Sequence, residues 1–485
     1  MVNRRTLLTA AAALPLTGAA SVWPTASSAA ETSAKLGARG ADPRYRLRLA
    51  ETAIAPFGVT TEARLANGTW PGEPLRFTKG ESFRVLVENA MAQPTTLHWH
   101  GLIVPNLQDG VPGLTQAPIV PGAALYYAFP LQQSGTYWYH SHVGLQLQQG
   151  LSGPLVIEDP DEPLSYDEDI TVFLSDLLNQ APDQAMKALK SGGLPVTAET
   201  PYRLPNGEAF ATDIPYDGLL LNGRPPNDPW IKAVKPGSRV RLRLINGSGS
   251  SYFRVALEGL PLLVVAADGE PVAPLEVDNL VIATGQRYDL LVTVPSGGSH
   301  RLHAAALGLD KQALGVLHAS DSPAKSEPVR PTFDGRALDV SLLAAAGETT
   351  LPEGPQRRFE IVLSGDMQRY IWQMNGKSWP EADANFAGIA PDAVFHEITY
   401  GERVRLDLVN RTPMVHPMHL HGHVFRVLNE GRDPATAPLR DTVSVPPNGK
   451  VSIEFFADNP GQWFFHCHNA WHLAVGMAQA FRYMV

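Results

Sequence analysis

The chain has 485 residues, of which 44% are hydrophobic and 18% charged. That is enough apolar matter for several packed cores and too much for a disordered polymer. Lys and Arg total 39 against 48 Asp and Glu, a formal charge of -9 that argues against nucleic acid as a partner. One cysteine excludes an intrachain disulfide framework and leaves a single thiol to be explained.

Arg4 and Arg5 precede an apolar stretch from Leu7 to Val22 that ends in the small residues Ala26 to Ala30. Residues 1–30 therefore read as a signal peptide. The paired arginines predict export by the twin-arginine machinery to the periplasm or beyond the cell, although Asn3 stands where Ser or Thr is commoner; an ordinary secretory signal is the other reading. No later segment offers about 18 consecutive apolar residues, so no integral membrane segment is expected.

From there the chain reads as strands: Phe83 to Val87, Leu125 to Phe129, Val240 to Leu244, Leu262 to Ala266, Tyr288 to Val294, Phe359 to Leu363, Val404 to Leu408 and Val451 to Phe455. They mix β-branched, aromatic and alternating residues between Gly, Pro and Asn turns, which predicts an all-β protein. Short helices are expected only around Gln184 to Leu189 and on the approach to Trp471.

One pattern recurs three times. GESFRVLVENA from Gly80, GSRVRLRLING from Gly237 and GERVRLDLVNR from Gly401 share a glycine turn, an alternating strand and a terminal asparagine region. A second landmark follows each: PGAALYYAFPLQQSGTYWYHSH from Pro121, TGQRYDLLVTV from Thr284 and NGKVSIEFFADNPGQWFFHCH from Asn448. Three Greek-key β-sandwich domains account for this, over residues 31–160, 161–325 and 326–485, with linkers near Glu158 to Leu164 and Ser320 to Phe333.

Ten of the 15 histidines fall in four short groups: His98 and His100; His140 and His142; His416, His419 and His421; His466, His468 and His472. A strand sends residues i and i+2 to one side, so four His-x-His pairs offer eight imidazoles to one cluster. The pairs come from the first and third repeats, which places the cluster between those domains. Cys467 points away from His466 and His468, and with His416, His472 and Met477 it makes a blue-copper ligand set. His300, His303, His318 and His396 sit in no such group and read as structural or surface residues. His423 reads as a supporting or core residue.

His98-Trp99-His100-Gly101, His140-Ser141-His142, His416-Pro417-Met418-His419-Leu420-His421 and His466-Cys467-His468-x3-His472-x4-Met477 resemble the four copper motifs of the multicopper oxidases, in their expected order. The likeness to three-domain bacterial laccase-like members covers essentially the whole mature chain and implies cupredoxin-like domains. It also implies four copper ions: a type 1 copper on His416, Cys467, His472 and Met477; a type 2 copper on His98 and His419; and a type 3 pair on His100, His140, His142, His421, His466 and His468. Electrons would enter at exposed edges of His416 or His472 and pass by Cys467, His466 and His468 to a cluster that reduces dioxygen to water.

Asp109 resembles the family carboxylate that supplies protons, and equally reads as the start of an Asp109-Gly110 turn. Relatives place an acid between His468 and His472, where this chain has Asn469, Ala470 and Trp471. Asp441 matches a stretch near the type 1 site, where it would meet a phenol; a capped turn or a pair with Arg440 are the other readings. The expected reductant is a phenol or aromatic amine. Cuprous ion is the alternative, although the nine methionines form no run, and Met367, Met374, Met414 and Met418 stay open singly. A copper carrier or a copper nitrite reductase would not need eight paired imidazoles. The middle domain, without motif ligands, reads as a packing platform and a wall of the substrate approach.

Overall fold

The computed structural model describes residues 42–192, 201–320, 323–380, 393–429 and 431–484; the signal-like segment lies outside them. Six sheets form three stacked pairs, of four and four, six and five, and six and five strands. The expected strands are all present, and the α-helical stretches among the described residues are Pro182–Lys190 and Ala470–Ala474.

The repeated segment is the same structural element each time. Ser82–Asn89, Arg239–Asn246 and Arg403–Asn410 each run parallel to the opening strand of their unit, Tyr45–Ile54, Glu168–Leu177 and Gln356–Asp366. Each also pairs antiparallel with the strand of the second landmark, Ala124–Pro130, Arg287–Thr293 and Lys450–Phe456.

The terminal asparagine has a physical reason. Asn89 Nδ2 donates to Ile119 O at 2.8 Å, Asn246 Nδ2 to Ile282 O at 3.0 Å, and Asn410 Nδ2 to Met414 O at 2.7 Å and Val445 O at 3.2 Å. Each Oδ1 in turn accepts from the backbone two residues on, at Met91, Ser248 and Thr412. One short amide thus ends the strand and ties it to the segment packed across from it, a task that hydrocarbon side chains cannot do.

Alternation has a different outcome in the middle unit. Arg239–Asn246 is buried on both faces, because its charged side faces the first unit. Arg241 and Arg243 are compensated there by Asp289 at 2.6 and 3.3 Å and by Asp169 at 2.8 Å from Arg243. Burial of such cations is tolerable only with partners of this quality.

Candidate metal centres

Pairing registers bring the histidines together. His98–His100 pairs with Gly135–His140 so that His98 faces His140. His416–Leu420 pairs with Gln462–Cys467 so that His419 faces His466 and Met418 faces Cys467. The first and third units then interleave: His98 stacks on His421 at 3.9 Å between ring centroids, and His100 on His419 at 3.8 Å.

Six of the eight rings have an oxygen at the outer nitrogen, whereas His468 Nδ1 is buried without a partner. His98 Nδ1 meets Asp109 O at 2.8 Å, His419 Nδ1 meets Asp441 O at 2.8 Å, and His421 Nδ1 meets Asp109 Oδ2 at 2.9 Å. His466 Nδ1 meets Cys467 O at 2.9 Å, His140 Nδ1 meets Ser141 O at 3.0 Å, and His100 Nε2 meets Asp441 Oδ1 at 3.2 Å. Those bonds place the protons outside and leave lone pairs inside.

The inner nitrogens converge: His98 and His419 Nε2 at 3.5 Å, His421 and His466 Nε2 at 3.0 Å, and His100 Nδ1 and His468 Nε2 at 3.2 Å. His140 Nε2 and His142 Nε2 are buried with no partner. Two imidazoles bound to one cation at about 2.05 Å and near-tetrahedral spacing lie roughly 3.3 Å apart. Converging lone pairs at this spacing fit cations. Burial, with neighbouring imidazoles adding, holds His100, His140, His142, His419, His421 and His468 well below their ordinary pKa, and burial holds His466 at about 3. These rings are therefore neutral ligands at neutral pH.

The sulfur centre follows the same logic. Cys467 Sγ lies 3.7 Å from His416 Nδ1 and 3.6 Å from His472 Nδ1, and those nitrogens are 3.2 Å apart. Thr412 Oγ1 holds His416 Nε2 at 2.8 Å, and Asp213 Oδ2 lies 3.1 Å from His472 Nε2. Burial pushes the Cys467 thiol up, so a thiolate here requires a cation beside it. Met477 is buried, and its backbone binds both Cys467 N and His472 O at 3.0 Å.

Asp109 is both a turn residue and a site residue. It closes the turn Asn106–Gln108 and precedes Gly110, where φ is 87° and a Cβ would meet Leu97 O at 1.9 Å. Its buried carboxylate bridges His421 and His98, at 2.9 and 3.2 Å. Asn469 is the cap of Ala470–Ala474, accepting from Trp471 N at 3.0 Å and His472 N at 3.4 Å. His423 is a core residue, bonded to Tyr483 at 2.7 Å and held at about 4 by burial.

Two expectations are corrected. Asp441 is fully buried beside His100 and His419, so it meets no phenol; its partner is Arg287, at 2.6 and 2.8 Å, whereas Arg440 pairs with Asp268 at 2.7 Å. Burial pushes Asp441 up while Arg287 pulls it back. The copper imidazoles show no exposed edge either: His416 and His472 are 0% exposed. Trp372 covers them, its ring 4.1 Å from that of His472 and 5.2 Å from that of His416. Tyr370 bonds Asp213 at 2.5 Å on the same side. Bonds from His472 and Tyr370 hold the Asp213 carboxyl down although burial opposes them.

The sequence reading missed Thr412, Asp213 and Arg287. Thr412 had a signal, two residues past the repeated asparagine, and Arg287 sits inside the second landmark. Arg287 makes the middle unit more than a platform: it also donates to Thr136 O in the first unit at 3.0 Å, so three units meet at one guanidinium.

Family models described as multicopper oxidase match residues 48–162, 168–319 and 355–485. Multicopper oxidase MmcO of Mycobacterium tuberculosis is 35% identical over 95% of this chain and 92% of that protein. Copper resistance protein A of Escherichia coli is 28% identical over 99% of each. The solved laccase from Botrytis aclada superposes with a TM-score of 0.74 at 29% identity, over 90% of this chain and 87% of that one. The chain belongs to the multicopper oxidase family. It is a copper-dependent oxidoreductase, laccase-like in its site and its sequence.

Proposed function

We propose that the protein couples one-electron oxidation of phenols or aromatic amines to the reduction of dioxygen. The coppers would supply the electron acceptor for the reductant and the four-electron reduction of dioxygen to two waters. His416, Cys467, His472 and Met477 would hold the type 1 ion, His98 and His419 the type 2 ion, and the six other paired imidazoles the type 3 pair. The convergence of buried ring nitrogens at 3.0–3.5 Å carries this reading.

The chain's own residues do the rest. Cys467 is bonded through its backbone to His466 and His468, and its carbonyl accepts from His466 Nδ1, so one short segment links the two centres. Asp109 fixes His98 and His421, and it is the carboxylate placed to move protons toward the eight-imidazole centre. Asp441 and Thr442 Oγ1 orient His100 at 3.2 and 3.3 Å. Burial of all these groups excludes bulk water.

Oxidation of cuprous ion is a second reading, favoured by the name of the Escherichia coli relative. Of the four methionines left open, Met374, Met414 and Met418 are buried and offer no accessible sulfur, and Met367 is half-buried. We further propose export by the twin-arginine route, supported by Arg4 and Arg5.

Oxygen uptake by copper-quantified protein tests the proposal, with 2,6-dimethoxyphenol, an aromatic amine and cuprous ion compared side by side. Four phenoxyl radicals per dioxygen are expected. Faster uptake with cuprous ion alone would favour the second reading, and no uptake with any reductant would leave a copper carrier.

A further inference from the structure

A chain of polar side chains leads from the copper-binding segment to a part of the molecule that holds no copper ligand. Trp471, between His468 and His472, donates from Nε1 to Tyr216 Oη at 2.9 Å, and Tyr216 donates to Gln148 Oε1 at 2.8 Å. Gln148 Nε2 in turn donates to Asp176 Oδ1 at 3.2 Å. The Gln148 amide is thus fixed at both ends, and it lines a cavity of about 260 Å³ between the first and middle units. That volume lies just under the range of drug-sized sites and suits one ring of a small polar ligand.

One wall of the cavity is an indole. Trp70 lies against Gly150, where φ is 93° and a Cβ would stand 2.8–2.9 Å from ring atoms Cδ2, Cε2 and Cε3. Glycine alone lets the ring seat there. Trp70 Nε1 is spent on Ser175 Oγ at 3.1 Å, so the ring offers the cavity carbon and π electrons. The electron-rich face of such a ring attracts polarised C–H groups.

The other polar lining is almost entirely neutral. Gln149, Asn179 and Gln180 add amides, and Thr60 and Thr61 add hydroxyls. Asn179 is held by its backbone, its N donating to Asp217 Oδ2 at 2.7 Å and its O accepting from Thr61 Oγ1 at 3.1 Å. Its Oδ1 is buried with no partner, an acceptor left for a ligand donor. Glu62 is the one charged lining group among the described residues. An anionic ligand would meet that carboxylate and no cation. A ligand whose groups both donate and accept, as hydroxyls do, matches amides that do the same.

We infer that this cavity binds a neutral saccharide, as one ring of an oligosaccharide, with the C–H face of the sugar on Trp70 and its hydroxyls on Asn179 Oδ1 and the Gln148 and Gln149 amides. Gln148 keeps a second N–H and a second lone pair for this, and its fixed geometry lowers the ordering cost of binding. The site takes part in no electron transfer, so it stands apart from the oxidase reading above.

Isothermal titration of the full, copper-loaded protein with xylotetraose, cellotetraose, mannotetraose and tetragalacturonate tests the assignment. At least one neutral tetraose should bind with a Kd below about 1 mM, and tetragalacturonate about tenfold more weakly or worse. Thr60→Trp places a large ring at an exposed position of the rim and should weaken the neutral tetraose by more than about tenfold. Asn179→Leu removes the unpaired acceptor at similar volume and should weaken it by about tenfold. The blue band, copper content and oxygen uptake with 2,6-dimethoxyphenol should be unchanged and report that each variant is intact. If Asn179→Leu does not fold, Thr60→Trp decides alone. No binding of any neutral tetraose, or binding undiminished in Thr60→Trp, would overturn the site, and tightest binding of tetragalacturonate would overturn the neutral class. Absent oxygen uptake by the wild-type protein, with intact saccharide binding, would overturn the oxidase reading and leave this one.

Discussion

The second and third units carry the same asparagine clamp on the same strand, and they diverge at the next residue. After Asn246 the chain runs Gly247-Ser248-Gly249, where a Cβ would strike Phe173 at 2.1 Å or Gln148 at 1.9 Å, so small residues let the turn press against its neighbours. After Asn410 it runs Arg411-Thr412-Pro413, and Thr412 Oγ1 reaches His416. The clamp is architecture common to both. The metal chemistry lies in what the third unit hangs from it, and the middle unit contributes instead through Arg287 and Asp213, which brace ligands it does not own.

The largest effect that separates these roles comes from Cys467→Ser. The blue absorption should vanish and turnover should fall more than about a thousandfold, as expected when a unique sulfur ligand is lost. The copper-free fold should hold, because the serine fills nearly the same buried space. A persistent blue band would show that Cys467 is not the ligand. Asp109→Asn comes next: the blue band should stay while oxygen reduction slows by about 100-fold or more, the low end of the usual weight of a proton-transfer group. Unchanged turnover would reduce Asp109 to a brace.

Acid should also divide the units. In copper-free protein the centre's imidazoles have values held below about 6.5, the unfolded value. Below that pH the unfolded chain gains protons that the folded one refuses. Stability is unaffected above pH 6.5 and is lost as pH falls, by roughly 1.4 kcal/mol per such imidazole per pH unit. In the middle unit His303 is pushed down, again by burial. Hydrogen exchange at pH 5.5 should therefore show strands Gln462–Cys467 and Gly135–His140 opening before Arg239–Asn246. Uniform opening would refute this.

The ligands were legible because each motif is local: two imidazoles one residue apart on a strand need no tertiary information to share a face. The repeats likewise exposed three sandwiches, since the glycine turn and alternating strand recur in sequence. What stayed hidden depends on distant chain. Arg287 and Asp441 are 154 residues apart, and Asp213 and Tyr370 are 157 apart, so no window of sequence pairs them. The same holds for the cover over His416 and His472. Arg241 and Arg243 are covered by the docking of another unit, which the alternation of their own strand does not show.

The finest test of the comparison is the clamp itself. Asn246→Ala and Asn410→Ala each remove a buried amide that satisfies several backbone groups, and each should cost about 1–3 kcal/mol. Unfolding of three units is not a single transition. The cost should therefore be read locally, as lost exchange protection of Ser248 or Thr412 and of the facing strand. The outcomes should part at the metal. Asn246→Ala should disturb the blue band less, because its turn meets the His468–His472 segment only through the backbone, where Gly249 O accepts from Ala470 N at 2.8 Å, and touches no ligand ring. Asn410→Ala frees Thr412, which loses its bonds to Asn410 Oδ1 at 2.9 and 2.8 Å and no longer fixes the far nitrogen of His416. Its blue band should shift or broaden, and type 1 copper should leave faster to a chelator. Equal spectra in the two variants would mean that the third unit holds its imidazole by packing against Trp372 alone, with the clamp as indifferent to copper there as it is in the middle unit.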